Sequence, residues 1–196
     1  MLIEPEAGRK YFYYYPQAVV VVGVLYDGKV NFMPCAWNTG LSYDPFMYGV
    51  SVGTERYTHG LLEKADAFSI NFFTYDELKL VRSLGRSSGK DIGKAETFDM
   101  PYSPGEKVNA PVVVGAYHTM ECEKTSEVTF GDHTLVVGEV KLMHVRDDLA
   151  DQEILNIDCV SPLMYLGVDH YVTLDNDSVT SLKDEPFHYQ ENKISR

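Results

Sequence analysis

An Asp27-Gly28 pair set between two β-rich runs constrains this chain more than any other feature. Residues 18–25 form a β-branched apolar run, and residues 29–38 make a second extended segment. Asp-Gly supplies two consecutive residues that tolerate the left-handed backbone region, as the tightest connections between right-twisted strands require. The pair predicts an antiparallel hairpin.

The rest of the pattern extends the sheet. Beyond the Tyr43-Asp44-Pro45 turn, residues 46–52 and 67–73 read as further strands. Between them the sequence predicts a helix over residues 55–65, with Thr54 as N-cap and Leu61 and Leu62 on its buried face. Residues 112–122 and 134–145 are longer β patterns, with a Phe130-Gly131-Asp132 turn before the second, and they are expected to pair. Residues 75–100 hold a short helical stretch that leads into a polar, donor-rich loop over residues 85–90. Many strands with few helices give a mainly β fold, an antiparallel barrel with appended helices. At 196 residues the expectation is one domain over residues 1–196, with a charged surface tail, or an arm over a neighbour, at about 176–196.

Charge and motifs remove several functional classes. With 29 acidic against 17 basic residues, the net charge of -12 disfavours nucleic acid and anionic membranes as partners. The longest apolar run, residues 18–25, is too short to span a bilayer, and acidic residues precede it where a signal peptide carries basic ones. The expected location is the cytoplasm. Cys35, Cys122 and Cys159 are odd in number and lack metal-type spacing, so reduced packing thiols are expected and no metal is. No GxGxxG follows the first strand, no Walker loop occurs, and no Gly-x-Ser-x-Gly elbow points to a hydrolase.

Four stretches can carry chemistry. In the first, Cys35, Ala36, Trp37, Asn38 and Thr39 mix small and polar side chains within one strand, which would let a flat heterocycle lie close to backbone; an ordinary edge strand has the same look. In the second, Ser51, Thr54, Arg56 and Thr58 run from a strand end into a helix start, suited either to a phosphate or to simple capping. Third, Ser88 and Lys90, with Lys94 four residues on, offer another set of phosphate donors. Fourth, the Gly131-Asp132 turn places His133 at the mouth of a strand, where a lone histidine is otherwise ordinary surface.

Taken in order, Asp27-Gly28, Asn31, Ala36-Trp37, Asp44-Pro45, Arg56-Tyr57-Thr58, residues 68–71, Ser88-Gly89-Lys90-Asp91 and Gly131-Asp132-His133 with Gly138-Glu139-Val140 resemble the flavin reductase-like, FMN-binding split-barrel family, and within it the flavoredoxin branch. The resemblance covers about residues 15–170. It departs at Pro34-Cys35 and at Gly53-Thr54-Glu55. It implies an antiparallel Greek-key split barrel that forms a homodimer and holds FMN without a covalent bond. Electrons would come from NADH or NADPH, or from a redox partner protein. By this resemblance Ala36 to Thr39 line the ring, the Ser51 to Thr58 and Ser88 to Lys94 stretches approach the phosphate, and Asn71 joins the binding set. His133 would be the catalytic residue beside the reactive face.

The leading expectation is therefore an NAD(P)H-linked flavin reductase or flavoredoxin-like oxidoreductase. A non-catalytic FMN-binding electron carrier is the alternative from another class. A pyridoxamine phosphate oxidase-like enzyme would need a basic pocket for a second phosphate, and the sequence shows no clear cluster for one.

Overall fold

The computed structural model describes residues 4–6, 8–149 and 154–181. The Asp27-Gly28 hairpin is there: β2 (Val20–Tyr26) pairs with β3 (Lys29–Cys35) in register from Val20↔Cys35 to Tyr26↔Lys29. Asp27 and Gly28 both take positive φ, 49° and 71°, as such a turn demands. A short β1 (Gln17–Ala18) precedes them. β4 (Asn38–Tyr43) and β5 (Phe46–Gly53) form the next hairpin, followed by α1 (Tyr57–Leu62), β6 (Ala67–Phe72), α2 (Leu78–Arg86) and α3 (Lys94–Thr97). A small pair, β7 (Tyr102–Pro104) with β8 (Pro111–Val113), leads into the long hairpin of β9 (His118–Phe130) and β10 (His133–Val145). β11 (Met164–Gly167) and β12 (His170–Val172) complete a three-stranded sheet with β1.

The main sheet runs β3-β2-β6-β9-β10-β5-β4, antiparallel throughout. Its two edge strands, β3 and β4, are separated only by Ala36 and Trp37. In a flat sheet those edges would lie about 29 Å apart, six strand spacings of about 4.8 Å. Three Cα steps, Cys35 to Asn38, span at most about 11 Å. The sheet must therefore roll, and at the end of β3 Cys35 comes against β5, its thiol pointing to the Ser51 carbonyl at 3.5 Å, while the Ser51 N–H to Trp37 carbonyl bond carries the β4–β5 ladder back to the crossing. The result is the mainly β split barrel expected.

Val20, Val22 and Val24 of β2 fill the barrel with Val50, Phe68, Ile70 and Val136. Val19, Val21 and Phe32 face the other way, under Val81 and Leu84 of α2 and Ala95 of α3. Burial on both faces is why residues 18–25 read as an unbroken apolar run rather than an alternating one.

Several expected boundaries move. The helix expected over residues 55–65 with Thr54 as N-cap is only Tyr57–Leu62, with Arg56 at the cap position. Thr54 is consumed elsewhere, its N–H and hydroxyl both donating to the Asp132 carbonyl, at 3.0 and 3.3 Å. At the other end the Lys124 ammonium takes the carbonyls of Leu62 and Glu63. The β pattern at residues 112–122 is broken by a turn at Val114 and Gly115, and β9 instead runs on to Phe130. The segment at residues 29–38 likewise divides at the crossing. Of the expected tail, residues 182–196 lie outside the described residues, while Asp175 accepts the Asp177 N–H to cap a short turn.

Candidate functional site

A cleft of about 720 Å³ opens where β3 passes into β4. Its floor is the crossing itself, with Met33, Pro34, Cys35, Ala36 and Trp37 on one side and Ser51, Val52 and Gly53 of β5 on the other. The size is ordinary for a small-molecule or cofactor site.

The floor is stitched from beneath. The Cys35 thiol points to the carbonyls of Trp37 and Ser51, at 3.3 and 3.5 Å. Burial pushes that thiol up to about 12, so it packs as an inert group and not as a thiolate. Asn38 holds the crossing as well: its amide donates to the Ala18 and Cys35 carbonyls at 2.9 and 3.0 Å, and its oxygen accepts the Tyr48 hydroxyl. That leaves Asn38 beneath the cleft rather than lining it.

One end is cationic. Arg56 and Thr58 arrive from the start of α1, Ser87, Ser88 and Gly89 from the loop after α2, and Lys94 from the start of α3. Asn31 ties these pieces together. Its amide nitrogen donates to the Thr58 hydroxyl at 2.8 Å, and its amide oxygen, buried and without a hydrogen-bond partner, lies against Gly89. A Cβ at Gly89 would stand 1.9 Å from that oxygen, so only glycine lets the loop lie flush on β3. Lys94, 4% exposed, donates to the carbonyls of Phe32 and Leu84 at 2.9 and 2.7 Å. Burial first, and then the Arg56 charge, hold its ammonium down at about 8. Arg56 itself pairs with Glu55, which also lines the cleft, at 3.1 Å, so Lys94 adds to this end a positive charge beyond that ion pair.

At the other end stands an aromatic wall. The His133 ring lies 4.6 Å from the Trp37 ring at 42°, and its Nδ1 pairs with Asp132 at 2.7 Å. The Trp37 Nε1–H donates to the Tyr15 hydroxyl at 2.8 Å. Tyr11, Phe12, Tyr14 and Tyr165 extend this wall. That hydrogen bond to His133, its charge and the charge of Lys10 keep the Asp132 carboxyl below its ordinary range.

Of the residues singled out by sequence, the cleft gathers Cys35, Ala36, Trp37, Ser51, Arg56, Thr58, Ser88, Lys94 and His133. It leaves out Asn38, Thr39, Thr54, Asn71 and Lys90. Thr39 is exposed, its hydroxyl on the Gly40 carbonyl, and Thr54 lines a separate 360 Å³ depression on the outer side of α1. Asn71 is fully buried and spends both ends of its amide internally, donating to Val21 and Ser69 and accepting from Val113 and Thr119. Lys90 is exposed outside the cleft. Sequence reasoning passed over the aromatic wall, although five consecutive aromatic residues, Tyr11-Phe12-Tyr13-Tyr14-Tyr15, were a visible signal.

The family described as Flavin reductase like domain matches residues 12–175. An uncharacterized protein of Archaeoglobus fulgidus is 35% identical over 136 residues, 69% of this chain and 74% of that protein. The crystal structure of an FMN-binding protein from Thermus thermophilus with bound p-hydroxybenzaldehyde shares 36% identity and superposes with a TM-score of 0.79, covering 92% of this chain and 98% of that one. Flavoredoxin from Methanosarcina acetivorans, at 24% identity, shares the fold with a TM-score of 0.81 over 94% of this chain and 97% of its own.

Proposed function

The chain belongs to the flavin reductase-like domain family, and from that premise we propose that its cleft binds FMN and passes electrons through it. One observation carries the proposal: Arg56 and Lys94, with Thr58 and Ser88, line one cleft whose floor includes Met33, Pro34, Ala36 and Trp37. A phosphate would take donors from Lys94 and from Arg56, whose guanidinium also pairs with Glu55 at 3.1 Å, and the floor would take a planar ring. The FMN-binding relative from Thermus thermophilus supports the same choice of cofactor. Bound there, FMN would supply reversible hydride chemistry that no side chain of this protein can perform.

The protein's own contribution is position and protons. Lys94 and Arg56 fix the anionic end, Gly89 lets the loop close over it, and the Ala36 and Trp37 backbone sets the ring's depth. His133, with Asp132 on Nδ1, has Nε2 left to donate a hydrogen bond or move a proton at the mouth. The electron donor is NADH or NADPH, and the protein acts in the cytoplasm as a homodimer. Exposed Phe130 and Met143 on the long β9–β10 hairpin support the dimer, since large apolar side chains in solvent favour a covering partner. No helix among the described residues is long and apolar enough to cross a membrane.

The test is a titration of the purified protein with FMN and riboflavin, followed by steady-state NADH and NADPH oxidation with FMN present. Preference for FMN together with turnover supports a reductase. FMN binding without nicotinamide oxidation leaves the electron-carrier alternative, and equal affinity for riboflavin overturns the phosphate site.

A further inference from the structure

The cleft has two ends of different chemistry, and the cationic end accounts for only one of them. At the other, the N-terminal residues 11–15 cross the mouth as a strap. Its rings meet edge to face: Phe12 with Tyr15 at 5.0 Å and 78°, Phe12 with Tyr165 at 6.2 Å and 84°, and Tyr15 with Tyr165 at 5.9 Å and 74°. Phe12 is seated on Gly167, where a Cβ would stand 2.5 Å from the ring, so the β11–β12 hairpin is shaped to receive it. The Tyr15 hydroxyl is fixed by the Trp37 indole, and the His133 ring rests on the same indole. Such a strap is a preorganised wall of ring faces and edges with hydroxyl and imidazole donors beside it.

We propose that this strap is the subsite for a small planar aromatic carbonyl compound, the partner that exchanges electrons with the cofactor, with Tyr15 donating a hydrogen bond to its oxygen. A phenol whose oxygen already accepts a hydrogen bond, as Tyr15 does from Trp37, is the stronger donor for it. Flat rings stack on the aromatic wall, whereas puckered rings of the same size meet it at their hydrogens only. The subsite rests on the FMN reading for its role in electron transfer, but its binding can be measured independently.

Trp37 is the only tryptophan in the chain, so its emission reports on the strap directly. Acetophenone and cyclohexyl methyl ketone, which share the carbonyl and differ in the ring, serve as the two probes, each titrated with and without FMN. Acetophenone should bind about tenfold more tightly than the saturated ketone. Tyr15→Phe should weaken acetophenone about fivefold, the loss of one hydrogen bond, and Phe12→Ala should remove the preference between the ketones. FMN affinity, followed by flavin absorbance in the same samples, should stay within about threefold in both variants, which also shows that they fold. Equal binding of the two ketones, or an unchanged acetophenone affinity in Tyr15→Phe, overturns the subsite. So does competition in which acetophenone displaces FMN, because the strap would then belong to the flavin seat. Absence of FMN binding in the wild type would refute the FMN reading alone, since the ketone titrations without FMN still decide the strap.

Discussion

Replacing Lys94 with methionine separates the phosphate site from the fold. In the wild type the ammonium is buried, and two of its three protons are committed to Phe32 and Leu84. Its pKa falls from an ordinary 10.5 to about 8. At about 1.4 kcal/mol for each pH unit, the charged form costs native stability about 3 kcal/mol at neutral pH. The sign follows from proton counts: between pH 8 and 10.5 the unfolded chain holds a proton that the folded one has released, so stability rises with pH across that window. Lys94→Met removes this rise. It also loses two hydrogen bonds to carbonyls, about 1–3 kcal/mol each, so the net change at pH 7 runs from about 1 kcal/mol gained to about 3 kcal/mol lost. Binding behaves differently. A charge-assisted contact to phosphate is worth about 1.5–3 kcal/mol, so FMN should bind about 10–150-fold more weakly to the variant while riboflavin binds as before. In the wild type the dianion draws a proton onto Lys94, so affinity for FMN should weaken with pH above about 8, and the variant should show no such slope. Calorimetry in buffers of different ionisation enthalpy counts the proton taken up. Wild-type FMN affinity that is flat from pH 7 to 10, with no proton uptake at pH 9, would refute the reasoning.

Arg56→Ala should weaken FMN by a similar 1.5–3 kcal/mol and leave riboflavin nearly unchanged; equal loss of both in equilibrium titrations would show that Arg56 supports the fold instead. His133→Ala should slow flavin reduction in stopped flow by about tenfold or more, with FMN affinity held within about threefold, and unchanged turnover would make the histidine structural. Glu121 is wholly buried and accepts from the N–H groups of Glu106, Lys107 and Val108 at 2.7–3.1 Å and from His144 at 2.6 Å. Burial alone would raise its pKa, but these hydrogen bonds lower it, so its stabilisation is present above the unfolded carboxylate value and lost as pH falls through the folded one. Glu121→Gln should cost about 2–4 kcal/mol in urea unfolding at pH 7, and the gap should close in acid; equal stability at pH 7 would remove the carboxylate's role.

The sequence made local features legible wherever the deciding contacts were local. Asp27-Gly28 and Phe130-Gly131-Asp132 both join the strands on either side of them, because a turn's conformation is set within a few residues. Thr54 misled because its partner is the Asp132 carbonyl, 78 residues away, and no capping pattern can show that competitor. Asn38 and Asn71 share a composition with ligand-binding residues, yet buried backbone groups claimed their amides first. Lys94 read as one donor of an exposed polar loop, and its burial under α2 is visible only once α3 is placed. The tyrosine run at residues 11–15 had no meaning until the β11–β12 hairpin, 150 residues on, gave Phe12 its seat.

The two-residue crossing at Ala36 and Trp37 divides the labour of movement around the cleft. It is at once the floor of the site and the link between the sheet's two edge strands, so the floor can shift only if Cys35 parts from the Ser51 carbonyl and the β4–β5 ladder frays at Trp37. Opening of that kind belongs to global unfolding, whereas the strap and the Ser88 loop lie outside the main sheet and open at lower cost. Entry and exit of any occupant must therefore be timed by the walls. If the proposed cofactor and reaction partner bind as argued, their exchange would use separate doors, one at the Ser88 loop and one at the aromatic strap, and substitution at either would slow one without altering the other.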